Sequence, residues 1–116
     1  MKNLDFVLLL DCYGSLLTKR QRDLLEGYYD EDLSLAELAE PLGVSRQAVH
    51  DSIRRGERQL LSFEEQMGLA HRLQQCHALF ETIEGYGAQL KALGTAQTTA
   101  IADAIADAAR QGKALL

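Results

Sequence analysis

Apolar side chains recur at helical spacing along most of this chain, and no segment shows the strict alternation of a half-buried strand. Leu4 to Tyr13 is predicted as a first helix. Phe6, Val7, Leu8, Leu9 and Leu10 leave it little polar surface, so it should pack on several sides. Gly14 and Ser15 break it. Thr18 caps a second helix with Gln21 at the capping-box position, and Leu24, Leu25 and Tyr28 face inward as it runs to about Tyr29. Asp30, Glu31 and Asp32 read as a solvated turn whose charge favours the helix start that follows.

The best-defined stretch runs from Ser34 to Leu61. Ser34 is an N-cap with Glu37 completing a capping box, and Leu35, Leu38, Ala39 and Leu42 form one apolar face. Gly43 stands where that helix must stop, since glycine enters the left-handed backbone region without steric cost. Val44 points inward, and Ser45 caps a second helix that buries Val49 and Ile53. A small residue, a glycine four later and a valine six after that is helix-turn-helix spacing. Pro41 departs from the pattern. It removes a backbone donor inside the first helix of the pair and is expected to kink or tighten its end. The second helix turns Arg46, Gln47, His50, Asp51 and Arg54 outward.

Beyond Leu60 the pattern changes. Leu69, Leu73, Cys76, Phe80, Ile83, Gly87 and Leu90 step by fours and threes, the mark of a heptad stripe. This predicts a long helix over roughly 62–93, either continuous with the one before it or bent at Gly56. Gly94 and Thr95 end it. An alanine-rich helix then starts at Thr98 or Thr99, with Ile101, Ile105, Ala108, Gly112 and Leu115 in register. The two stripes can close as an antiparallel hairpin or pair between chains. A homodimer is the favoured expectation, through Leu69, Leu73, Phe80, Ile83, Leu90, Ile101 and Ile105, because sustained heptads mark association. The expected organisation is a helix-turn-helix domain over 1–61 and a helical, dimerising extension over 62–116.

Composition agrees with an all-α fold: 116 residues, 47% hydrophobic, one proline, no tryptophan. Net charge is −5, which speaks against a general nucleic-acid binder. The distribution changes that picture. Residues 45–58 carry four arginines against Asp51 and Glu57, and Lys19, Arg20 and Arg22 form a second basic group. Arg46 and Gln47 have the donors and acceptors that read guanine and adenine, His50 lies beside them, and Arg54, Arg55 and Arg58 suit phosphates. Asp51 on that face would repel a phosphate backbone unless it accepts from cytosine. Tyr28 and Tyr29 are expected as one core and one half-exposed aromatic rather than as base-stacking platforms.

Cys12 and Cys76 lie on apolar faces and are expected as buried free thiols. Phe6 to Leu10 is too short for a signal sequence and no run approaches a membrane span, so a cytoplasmic location without membrane insertion is expected. His71, Cys76 and His77 are not spaced to converge on a metal, and no cofactor or small-molecule substrate is implied. Glu64 and Glu65 diverge on a helix, and Ser45 and His50 have no orienting acid. The chain is not expected to be an enzyme.

A resemblance is carried by particular residues. Leu33 to Glu40 followed by Leu42 to Val49, with Leu17 to Arg22 upstream, resembles the fourth region of bacterial sigma factors. Tyr13 to Thr18, Tyr28-Tyr29, Glu31 to Ser34 and Ser45 to Asp51 together resemble the YlxM family of small bacterial helix-turn-helix proteins. That resemblance covers about the first two thirds of the chain and is weakest over the final helix. It implies an all-α fold and a cytoplasmic, nucleic-acid-linked role as an accessory or regulator of the signal recognition particle pathway. The partners it implies are DNA, or the particle's RNA or GTPases. The alternative is a protein-interaction module that works through its C-terminal helices and touches no nucleic acid.

Overall fold

The structure is a computed structural model that describes residues 5–116. Among these residues the regular elements are all helical: α1 (Asp5–Tyr13), α2 (Lys19–Leu25), α3 (Leu35–Leu42), α4 (Arg46–Met67), α5 (Leu69–Leu93) and α6 (Ala96–Ala114). The expected start of the first helix at Leu4 lies outside the described residues. The chain divides into two compact units, residues 1–70 and 71–116. The first therefore reaches Ala70, where the sequence suggested a boundary after Leu61.

In the first unit α4 is the axis against which α1, α2 and α3 all pack. Its buried positions Val49, Ile53, Gly56 and Leu60 recur by fours and threes, so one stripe meets all three partners. They join Leu9, Leu10, Tyr13, Leu17, Leu24, Leu25, Leu38, Ala39 and Ala70 in one core. Each large aliphatic side chain buried there contributes about 1.5–3 kcal/mol. The local signals act as written. The Thr18 side chain accepts from the Gln21 backbone N–H at 3.2 Å. Ser34 and Glu37 form the reciprocal capping box, at 3.1 and 3.2 Å.

Three features differ from expectation. The second helix ends at Leu25 and continues as a wider π turn over Glu26–Asp30, closed by the Glu31 N–H donating to the Glu26 carbonyl at 3.1 Å. Pro41 lies inside α3, which continues to Leu42 before Gly43 turns it at φ 65°, the stop the sequence placed there. Leu42, placed on the apolar face by spacing, is exposed instead, because it lies at the helix end where the chain turns away. The third helix boundary moves as well. α4 runs unbroken through Gly56, the continuous alternative of the two read from sequence, but ends at Gly68, which takes the left-handed conformation at φ 62° and divides the helix expected over 62–93.

That end is built by three elements. The Tyr13 hydroxyl donates to Glu64 Oε1 at 2.5 Å and accepts from the Leu69 N–H at 2.9 Å, while Glu64 Oε1 also accepts from the Ala70 N–H at 2.9 Å. These bonds satisfy donors that the first turn of α5 leaves open, which is why the first unit extends past Leu61. Burial and the Glu64 carboxylate push the Tyr13 hydroxyl above its ordinary range.

The second unit is an antiparallel hairpin of α5 and α6. Small residues let the helices approach. A Cβ on Gly87 would meet the Ala102 carbonyl at 3.1 Å, and one on Gly112 would meet the Phe80 ring at 2.5 Å. Ala102 and Ala109 are buried along the same seam. Lys91 pairs with Asp103 at 3.0 Å and Glu84 with Lys113 at 2.8 Å. Lys113 holds the Glu84 carboxyl below its ordinary range.

The single heptad stripe read from sequence is divided between two faces here. Phe80 and Gly87 face α6. Leu79, Ile83, Tyr86, Leu90 and Leu93 form a second run of fours and threes that is exposed, as are Ile101 and Ile105 on α6. Cys76, expected buried, is exposed because its position falls on this second run; Cys12 is half-buried. Burial and the nearby carboxylates of Glu64 and Asp11 raise the Cys12 thiol above its ordinary range.

Candidate nucleic-acid interface

Ser45 starts the site. Its backbone is extended, and its hydroxyl accepts from the Ala48 N–H at 3.0 Å, so α4 begins with a defined first turn just after the Gly43 turn. With Val49, Ile53 and Gly56 turned to the core, Gln47, Asp51, Arg54 and Arg58 fall on the opposite side of the helix. All four are exposed, as are Arg46 and Arg55; His50 sits at the border, half-buried.

Two groupings follow on this face. At its start, Gln47 Nε2 donates to Asp51 Oδ1 at 2.9 Å, and the same oxygen lies 3.7 Å from His50 Nδ1. Further along, His50, Asp51, Arg54, Arg55 and Arg58 line an open concavity of about 360 Å³. Among the described residues, Arg46, Arg54, Arg55 and Arg58 make no ion pair with a carboxylate. Arg55 donates to the Ser52 hydroxyl at 3.2 Å, which holds its guanidinium against the helix. Four guanidiniums without carboxylate partners on a solvent-facing helix can take anionic oxygens bidentately.

The second basic group is arranged differently. Lys19 pairs with Asp23 at 3.0 Å, and Arg22 lies 3.9 Å from Glu26. Such exposed pairs are worth about 0.3–0.5 kcal/mol and are easily exchanged for another anion. Lys19 and Arg20 line a separate groove of about 520 Å³ with Leu24, Leu33, Leu38, Pro41 and Leu42. Gln21, read from sequence only as a capping residue, shares a shallow concavity with Arg55, Arg58, Gln59 and Ser62. Its helical phase relative to Leu24 and Leu25 was the available signal.

Behind the arginine face, the Tyr29 hydroxyl donates to Glu57 Oε1 at 2.6 Å. Tyr29 also packs on Phe6, with ring centroids 5.6 Å apart, and edge-on against Tyr28 at 5.0 Å. Both tyrosines are half-buried, and Tyr29 braces α4 from the π turn through Glu57. Burial, then the bond to Glu57, pushes the Tyr29 hydroxyl well above its ordinary range. Among the described residues no three His, Cys, Asp or Glu side chains come together as a metal site. Nor is any helix among them long and apolar enough to cross a membrane.

A capped short helix, a left-handed glycine turn and a second helix with its outer flank open define a helix-turn-helix protein. Sequence comparison makes this specific. A family profile described as "Putative helix-turn-helix protein, YlxM / p13 like" (UPF0122) matches residues 1–107, and the chain belongs to that family. It is 51% identical over 83 residues to a UPF0122 protein of Desulforamulus reducens, covering 68% of this chain and 71% of the relative. A UPF0122 protein of Acetivibrio thermocellus is 50% identical over 78 residues, covering 66% and 67%. One of Listeria innocua is 44% identical over 77 residues, covering 66% and 70%.

Proposed function

We propose that this chain is a non-enzymatic, DNA-binding regulatory protein that acts as a homodimer in the cytoplasm. The observation that carries the reading is the open flank of α4, where three arginines without carboxylate partners follow Arg46, Gln47 and His50 along one exposed face. In the major groove, the first two turns of α4 would meet base edges and Arg54, Arg55 and Arg58 the phosphates. Lys19, Arg20 and Arg22 would add phosphate contacts from α2 once their carboxylate partners yield. The net charge of −5 confines attraction to this face and makes affinity salt-dependent. Fluorescence anisotropy of a labelled duplex, titrated against salt, tests it. Wild type should bind at low salt, and each arginine replaced by alanine should reduce the slope of log K on log[salt] by about 0.9. No binding to any duplex at low salt would end the proposal.

The homodimer rests on the second unit. Leu79, Ile83, Tyr86, Leu90 and Leu93 with Ile101 and Ile105 are large apolar side chains left exposed on the hairpin, the composition of a stable interface core rather than of an ordinary surface. By helical phase the two sets share one side of the hairpin, away from its Lys91–Asp103 and Glu84–Lys113 pairs. Their flanking positions, Gln75, Thr82 and Gln89 on α5 and Gln97, Ala104 and Ala108 on α6, carry no charge. Over this stretch identical copies can meet without like-charge repulsion, the exposed Arg72 standing in phase only at the start of α5. Light scattering should give twice the 12.8 kDa chain mass, and Leu79→Glu with Leu90→Glu should halve it. A monomeric wild type at high micromolar concentration would refute the dimer.

Membership of the YlxM family supports a second reading, an accessory role in the signal recognition particle pathway. The same open flank would then engage the particle's RNA or its GTPases. Retention of those components on the immobilised full chain tests this, and their absence from the eluate would count against it.

A further inference from the structure

A carboxylate in the middle of an arginine-bearing flank needs a reason, because it repels phosphate. Asp51 is bonded to the one side chain on this face with two alternative hydrogen-bonding edges. Its Oδ1 accepts from Gln47 Nε2 at 2.9 Å, one turn earlier on α4.

The chemistry of the glutamine amide makes this contact selective. One Nε2 hydrogen lies on the same edge as Oε1, and the other lies on the far edge. Adenine offers N6–H and N7 in the major groove, which match an edge made of Oε1 and one N–H. Guanine offers O6 and N7, both acceptors, which a glutamine can serve only with its two N–H groups. A carboxylate accepts and cannot donate, so it admits Nε2 and rejects Oε1. With the far-edge hydrogen given to Asp51, the edge made of Oε1 and the other N–H stays free for adenine, while the pair of hydrogens that guanine requires is broken.

We infer that Asp51 is a positioning residue, which holds Gln47 as a reader of adenine and turns it against guanine. This rests on the reading of α4 as a DNA-reading helix. The carboxylate lowers phosphate affinity and gains base selectivity in exchange. His50 Nδ1, buried and without a hydrogen-bond partner, lies 3.7 Å from the same oxygen.

The test is selection from a fully randomised duplex library with the full-length wild type, Asp51→Ala, Asp51→Asn and Gln47→Ala. Wild type should show one position preferring adenine over guanine by about tenfold, within the range one bidentate pair supports. Gln47→Ala should erase it. Asp51→Ala should flatten it while total affinity holds or rises. Asp51→Asn, which keeps an acceptor without the charge, should retain part of it. If Asp51→Ala and Asp51→Asn both strengthen binding to every sequence by the same factor and leave the profile unchanged, Asp51 only repels phosphate and the inference is wrong. A wild type that enriches no sequence would instead refute base reading by α4. In that case the side-chain amide protons of Gln47 in the free protein still decide the contact: a spectrum unchanged by Asp51→Ala would show that Asp51 does not hold Gln47.

Discussion

Replacing Gly56 with alanine separates two accounts of α4. If Gly56 were a hinge, alanine would stiffen the helix and stabilise the protein by roughly 0.5–1 kcal/mol, the usual helical preference for alanine over glycine. The structure predicts the opposite sign. A Cβ at Gly56 would lie 2.6 Å from Leu25 Cδ1 and 3.4 Å from Leu25 Cγ. Leu25 is fully buried, so it has no solvent side to retreat to. Overpacking of this kind costs about 1–3 kcal/mol. Subtracting the helix gain leaves a net loss of about 0–2.5 kcal/mol, near 1 kcal/mol at the middle of both ranges. Gly85 is the internal control, since it lies within α5 with nothing inside 4 Å of its added Cβ. Gly85→Ala should therefore gain up to about 1 kcal/mol. Urea unfolding followed by circular dichroism reads both, and a loss of this size lowers the midpoint by about 0.5–1 M. Amide exchange at Val49, Ile53 and Leu60 assigns the Gly56 effect to the first unit. If Gly56→Ala stabilised as much as Gly85→Ala, the contact with Leu25 would not limit the helix and the reasoning would fail.

Other outcomes follow from named contacts. Ser45→Ala removes the oxygen that accepts from the Ala48 N–H and should cost about 1 kcal/mol, read as faster amide exchange in the first turn of α4. Glu84 is held below its ordinary value of 4.5 by Lys113, so its stabilising effect is complete above that value and is lost as pH falls through the lowered one. The hairpin should loosen on acidification in that window, and Lys113→Met should remove that part of the pH dependence. Tyr29 is raised instead, so its contribution is present below its ordinary value of 10.0 and is lost as pH climbs beyond it. Alkaline unfolding should thus begin earlier in wild type than in Tyr29→Phe, relative to each protein's neutral stability. Cys76 is exposed and should react with a thiol reagent well before the half-buried Cys12, whose raised thiol holds less thiolate.

What was legible in the sequence was mostly local. Ser34 with Glu37, Thr18, Gly43 and Ser45 declare themselves because a cap needs only a few neighbouring atoms. The helix-turn-helix followed from them, together with the exposure of Arg46, Gln47 and Arg54. Longer-range features were not legible in the same way. Gly56 and Gly68 look alike as helix-breaking residues, and only the approach of Leu25 makes one a packing contact and leaves the other as the stop. Tyr13 gave no sign that its hydroxyl would cap a helix more than fifty residues later. The heptad run from Leu69 to Leu90 merged two faces, because positions at spacings of three and four fit either neighbouring stripe until α6 settles which one lies inside. The partnering of Gln47 with Asp51 was visible as an i, i+4 spacing but was read as two separate side chains.

Mapping a bound duplex onto the backbone amides of the full chain by nuclear magnetic resonance tests the central claim most directly. The largest shifts should fall on residues 46–58, strongest at Arg46, Gln47 and Arg54, and should fade as salt is raised. Shifts confined to the Lys19–Pro41 groove or to the α5–α6 hairpin, with residues 46–58 silent, would contradict it.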